Sequence, residues 1–138
     1  MGPLFGKAHM TLSRREMDEA GACVGAVCEA VGWDMKLLIE CHGRFNHFTA
    51  VNMSKELAHF KPMLIEEPTI PDCIDSLEWV RDHAAVRVAA GERFYGKYVF
   101  WNVLHKEAVD IAQPDIFITA AFSKAKRLLQ CVRVVMFS

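Results

Sequence analysis

Three apolar runs in this chain each end on a glutamate: MKLLIE at Glu40, PMLIE at Glu66 and VRVAAGE at Glu92. The intervals from 40 to 66 and from 66 to 92 are both 26 residues. A strand, a loop, a helix and a second loop occupy about 25–30 residues, the size of one βα repeat. Parallel strands joined by helices all point one way, so their C-terminal ends share a face and side chains there converge. Three carboxylates meeting in one place repel one another unless a cation lies between them. An all-oxygen donor set suits a hard divalent ion such as Mg2+. A lone glutamate in such a position more often opens a loop or caps a helix. The repetition of strand followed by Glu is what points to a metal site. Two further polar groups, His42 and Arg44, follow Glu40 closely.

The elements that must position these groups read as an alternation of helix and strand. Residues 1–10 hold the breakers Gly2, Pro3 and Gly6 and read as irregular. Thr11 or Ser13 can cap a helix that opens with Arg14–Met17 and runs to about Val31, with Gly32 as its stop. Met17, Ala20, Val24, Val27 and Val31 recur at helical spacing and predict one apolar stripe on it. Lys36–Glu40 reads as a buried strand, and a second helix covers roughly Thr49–His59. Pro62 ends that helix and precedes the strand Met63–Glu66, after which Glu67-Pro68 turns the chain. Asp72 or Asp75 is expected to cap a third helix reaching about His83, with Ile74, Leu77 and Val80 inward and Trp79 in the packing. The strand Ala85–Ala90 follows, and Gly91 lets the backbone approach closely before Glu92. A fourth helix, about Lys97–His105, carries Tyr98, Trp101 and Leu104; then come the strand Val109–Ala112, a helix Ser123–Gln130 and a strand Val132–Phe137. Such alternation means an α/β fold with a parallel sheet.

Composition narrows the function classes. The chain has 138 residues, 52% of them hydrophobic, which suits one domain with a buried core. Its formal net charge is −1 with the two signs interspersed, so no nucleic-acid partner is expected. No apolar run approaches the roughly 18 residues of a membrane span, so no membrane is expected either. The N-terminal stretch has neither a signal-peptide core nor a cleavage pattern. Cys23, Cys28, Cys41, Cys73 and Cys131 are odd in number and lack CxxC spacing, which argues against a disulfide framework and for a cytoplasmic location. Cys23 and Cys28 read as small apolar fillers of the first helix. A zinc site from Cys41, His42 and His47 is disfavoured, because adjacent strand residues point to opposite faces.

The segments LLIECHGRFN, LIEEPTIPD, AAGERFYGKY and AVDIAQPD, in this order, resemble the barrel of the mandelate racemase/muconate-lactonizing group of the enolase superfamily. Within it they are most similar to acid-sugar dehydratases such as galactonate dehydratase. The resemblance covers about residues 5–130 and implies a (β/α)8 TIM-type barrel. It implies that Glu40, Glu66 and Glu92 hold Mg2+, and that His42 is the acid that protonates a departing hydroxyl. Asp115, the acidic residue of Gln-Pro-Asp, would orient a His from the next strand. Arg44 and Arg93 would pair with the carboxylate of a small sugar acid, or equally with a metal-ligand carboxylate. A base would take the proton α to the substrate carboxylate, an acid would help the β-hydroxyl leave as water, and a divalent ion would stabilise the charge that develops. The product would be a 2-keto-3-deoxy sugar acid.

The departures from that family matter as well. A complete barrel takes about 250 residues. Residues 1–138 therefore read as a single fragment of the C-terminal barrel domain, about strands 3 to 7 with their helices, without the capping domain. The family's first ligand is often Asp, and Glu40 is one methylene longer. Lys7 lies in a loop-like segment and is not assigned as the family's catalytic Lys. After Asp115 the family usually has Ser-His-Ala-Gly-Gly-Ile, where this chain has Phe117, Ile118, Thr119, Ala120, Ala121 and Phe122. The general base therefore goes unassigned. A partial barrel leaves two sheet edges open, so association into a homo-oligomer is expected. The alternative to an active dehydratase is a non-catalytic remnant that keeps the fold and the metal site. A flavodoxin-like binding domain has no support, since no Gly-rich phosphate loop follows any strand.

Overall fold

The computed structural model describes residues 10–115. Lys7, Cys131, the expected helix Ser123–Gln130 and the expected strand Val132–Phe137 lie outside the described residues.

Helix α1 (Arg14–Val31) opens with a capping box. The Ser13 hydroxyl accepts from the Glu16 N–H, and the Glu16 carboxylate accepts from the Ser13 N–H at 2.7 Å. These bonds satisfy donors that a helix start otherwise leaves unpaired. Gly32, at φ 87°, ends the helix and donates its N–H to Cys28 O at 2.9 Å. Three βα steps and a fourth strand follow: β1 (Leu38–Glu40), α2 (His47–Leu57), β2 (Leu64–Glu66), α3 (Ile74–His83), β3 (Val88–Ala90), α4 (Lys97–His105) and β4 (Ile111–Ala112). A 3-10 turn at Ala58–Phe60 closes α2 ahead of Pro62.

The strands form one parallel sheet in sequence order, β1-β2-β3-β4. Consecutive parallel neighbours, each joined through a helix, are the repeating step of a (β/α) barrel. Ile65, Val88 and Ala90 pack into the core with Met53, Leu57, Val80, Phe100 and Val103 from the helices. The alternate residues Glu40, Glu66 and Ala89 therefore stand on the opposite face of the sheet. Among the described residues, no helix is long and apolar enough to cross a membrane.

Several expectations from the sequence are corrected. The first strand is not buried: Leu38 is 50% exposed and Glu40 is exposed, because β1 has a neighbour on one side only among the described residues. The stripe on α1 is covered only in part. Ala20 is buried and Met17 and Val24 lean on the core, whereas Val27 and Val31 are exposed. Cys28 is buried as expected, but Cys23 is exposed and fills nothing. Neither Asp72 nor Asp75 caps α3; Cys73 holds the N-cap position, its Sγ accepting from the Ser76 hydroxyl at 3.1 Å and capping no backbone N–H, and Asp75 lies in the first turn. Helix α4 spans the expected Lys97–His105; it buries Phe100 and Val103 and leaves Tyr98 77% exposed.

Candidate metal centre

The register of the sheet sets Glu40 directly beside Glu66, and Glu66 beside Ala89. Glu92 reaches the same end of the sheet by a different route, since β3 ends at Ala90 and Glu92 belongs to the turn beyond it. Gly91 makes that turn. Its φ is 145°, and a Cβ there would lie 2.9 Å from the Gln113 backbone. A side chain would push apart the ends of β3 and β4, which Gln113 N–H ties to Ala90 O at 3.0 Å.

The turn is held from below by Glu67. This residue is in the left-handed region at φ 45° and only 1% exposed. Its carboxylate accepts the Gly91 N–H at 2.7 Å, while its own N–H donates to Ala89 O at 2.9 Å. Burial pushes the Glu67 carboxyl above its usual range; the Gly91 N–H opposes that shift and the Glu92 charge adds to it. In the sequence, Glu67-Pro68 reads only as a turn. Strand alternation carries the missed signal: if Glu66 faces the site, Glu67 faces the helices, and a carboxyl there must find a partner.

On the β1 side the chain makes two successive left-handed residues, His42 at φ 58° and Gly43 at φ 63°. His42 N–H donates to the Glu40 carboxylate, and Arg93 Nη1 donates to His42 O at 3.1 Å. Gly43 N–H donates to Glu67 O at 2.7 Å. A Cβ on Gly43 would sit 2.4 Å from Arg93 Nη1, so only glycine lets the guanidinium lie against this turn undisturbed. The result is a group in which one ligand atom each from Glu40, His42 and Glu92 lies within 4.8 Å of the others. Burial raises the Glu40 carboxyl, and the charges of Glu66 and Glu92 raise it further, against the lowering effect of the His42 N–H.

The remaining candidates are placed as follows. Glu66 is half-buried and outside the group of three, although its charge acts on Glu40. Arg44 and Asp115 are half-buried and also outside it. Arg93 is bonded to the backbone of the His42 turn. Asn46 is the N-cap of α2, accepting the Thr49 N–H at 2.8 Å. His47 packs edge-on against Trp79, with ring centroids 4.9 Å apart. Cys41 is buried; desolvation, with the charges of Glu40 and Glu66, pushes its thiol far above the usual range, and it is no metal ligand as it stands.

This arrangement fits a divalent cation. Carboxylates from two strand ends stand side by side, a third approaches from the next turn, and their mutual repulsion already raises Glu40. Residues 4–135 match the model of the enolase C-terminal domain-like family. The chain is 34% identical to a D-galactarolactone cycloisomerase of Agrobacterium fabrum in an alignment of 117 positions that covers 81% of this chain and 31% of that protein. It is 31% identical to a D-galactonate dehydratase of Ralstonia pickettii over 120 residues, 87% of this chain and 30% of that one. Among solved structures, a mandelate racemase/muconate lactonizing enzyme-like protein from Rubrobacter xylanophilus superposes with a TM-score of 0.86 at 32% identity. That match covers 96% of this chain and 34% of the other. The chain thus spans about a third of the length of these relatives.

Proposed function

The chain belongs to the enolase C-terminal domain-like family, and on that premise we propose that it carries the metal centre and the acid of a Mg2+-dependent acid-sugar dehydratase. Glu40, Glu66 and Glu92 would hold the ion. When bound, Mg2+ supplies positive charge where negative charge builds up on the substrate carboxylate as the α-proton leaves. The observation that carries the reading is the convergence of Glu40 and Glu92 with His42 within 4.8 Å.

His42 is the general acid. Its imidazolium gives a proton to the β-hydroxyl, which departs as water and leaves the enol of a 2-keto-3-deoxy acid. The bond from its own N–H to Glu40 and the bond from Arg93 to its carbonyl set the turn that carries the ring. Arg93 thereby supports the acid, while its other guanidinium nitrogens and those of Arg44 serve the substrate carboxylate. Asp115 stands where the resemblance puts a residue that orients a histidine of the following strand, and residues 116–138 hold no histidine for it to orient. The partner is a small sugar acid, handled in the cytoplasm.

The test is calorimetric titration of Mg2+ into the wild type and Glu66→Gln. Binding by the wild type that the substitution abolishes supports the three-glutamate centre, and a screen of sugar acids and their lactones then separates dehydration from ring opening. Failure of the wild type to bind Mg2+ sinks the proposal. Mg2+ binding without turnover of any sugar acid would instead mark a non-catalytic remnant that keeps the metal site.

A further inference from the structure

The three donor atoms brought closest together are not the three glutamates. They are two carboxylates and an imidazole, from Glu40, His42 and Glu92. That set has a different metal preference from an all-oxygen one. Carboxylates alone suit Mg2+, Ca2+ and Mn2+, whereas imidazole brings in zinc and its neighbours, and affinity at any mixed site rises toward the end of the first transition row. Zinc bonds to nitrogen and oxygen are about 2.0–2.2 Å, which puts two ligands of one tetrahedral ion about 3.4 Å apart. A spread of at most 4.8 Å closes to that by small side-chain rotations. His42 and Glu40 are exposed and Glu92 half-buried, so the rotations meet little packing.

Two backbone anchors keep the imidazole near the carboxylates without any metal. Glu40 accepts the His42 N–H, and Arg93, from the turn beyond β3, donates to the His42 carbonyl. Gly43 completes the reversal, being the residue whose missing side chain makes room for that guanidinium. In an extended continuation of β1 the backbone would carry His42 away along the strand; in this turn it folds back.

We propose that Glu40, His42 and Glu92 form a site for a borderline divalent ion of the zinc and cobalt class, distinct in its ligands from the three-glutamate Mg2+ site that it overlaps. Occupancy by such an ion engages the imidazole lone pair, so the site would also act as an inhibitory one. That regulatory consequence rests on His42 being the acid proposed above; the metal preference does not. Two ions cannot share Glu40 and Glu92 comfortably, so zinc and Mg2+ compete.

The experiment titrates Zn2+ by calorimetry, and Co2+ by its visible absorption, into the whole chain and into His42→Gln and Glu66→Gln. Circular dichroism confirms that each variant is folded. Removing a ligand costs at least as much as removing an outer-sphere partner, so His42→Gln should weaken Zn2+ and Co2+ by about tenfold or more. It should leave Mg2+ unchanged. Glu66→Gln should weaken Mg2+ strongly and Zn2+ far less, because it removes a neighbouring charge but no zinc ligand. The His42 ring-proton resonances of the wild type, read by NMR, should shift much further with Zn2+, bound to the ring, than with Mg2+, bound beside it, which tests the contact without any substitution. Equal Zn2+ affinity in wild type and His42→Gln overturns the proposal, as do ring resonances that Zn2+ leaves unmoved. Loss of Zn2+ with Glu66→Gln also overturns it, by placing zinc among the glutamates. If Zn2+ binds through His42 but Mg2+ binds nowhere, the mixed site stands and the dehydratase reading falls.

Discussion

Glu67→Ala perturbs the alignment of two strand ends through a single hydrogen bond. In the wild type the Gly91 N–H points at the buried Glu67 carboxylate, 2.7 Å away. Alanine leaves that donor without a partner in a place water does not reach, which costs about 1–3 kcal/mol. For a domain of this size that is about 3–5 °C of melting temperature per kcal/mol, hence a fall of about 3–15 °C. Glutamine keeps an oxygen that can accept the same N–H, so Glu67→Gln should recover most of the loss. Because Gly91 directly precedes Glu92, Mg2+ affinity should also weaken in the alanine variant, by the roughly 10–100-fold typical of a lost supporting partner.

The two variants also differ in their pH dependence. The folded-state pKa of Glu67 is raised, with burial as its chief cause. The folded protein therefore holds this proton more tightly than the unfolded chain does. The stability this contributes is fully present below the unfolded value, near 4.5, and is lost as pH rises through the folded pKa. Glutamine resembles the protonated acid at every pH. In chelated, metal-free buffer, urea unfolding should show Glu67→Gln gaining on the wild type as pH rises from about 4 to 8. Equal stability of the alanine variant and the wild type would refute the role of this carboxyl, and a gap between glutamine and wild type that ignores pH would refute its raised pKa.

Two further outcomes follow from the same geometry. Gly91→Ala places a Cβ 2.9 Å from backbone that cannot swing away, at φ 145°. It should destabilise by about 2 kcal/mol or more, visible as a lower urea midpoint, and should weaken Mg2+ binding because Glu92 moves with the turn. Cysteine alkylation should discriminate by burial: in native protein, mass spectrometry should find Cys23 modified while Cys28 and Cys41 stay intact until denaturant is added. Rapid native modification of Cys41 would show that the β1 end is open.

The sheet end was legible because one constraint fixes it. Parallel strands put their C-terminal ends on one side of the sheet, so glutamates that close such strands share that end; Glu92, two residues past β3, joins them through its turn. Glu40 and Glu66 do pair in register, and the alternation of helices and strands needed nothing beyond periodicity and breakers. What escaped was set by contacts remote in sequence. Val27 and Val31 continue the apolar stripe of α1 yet stay exposed, and α4 turns Phe100 inward, where it meets Phe94 edge to face. Arg93 reaches His42 across 51 residues, and no spacing rule announces that bond. The left-handed turn at His42 and Gly43 was equally hidden, since only the glycine hints at it. Yet that turn decides which donors meet. Spacing alone groups residues by strand, and so groups three glutamates; the turn brings back a residue that had left the strand, and so admits an imidazole. The chemistry open to the site therefore turns on the backbone of His42 and Gly43 as much as on the glutamates themselves.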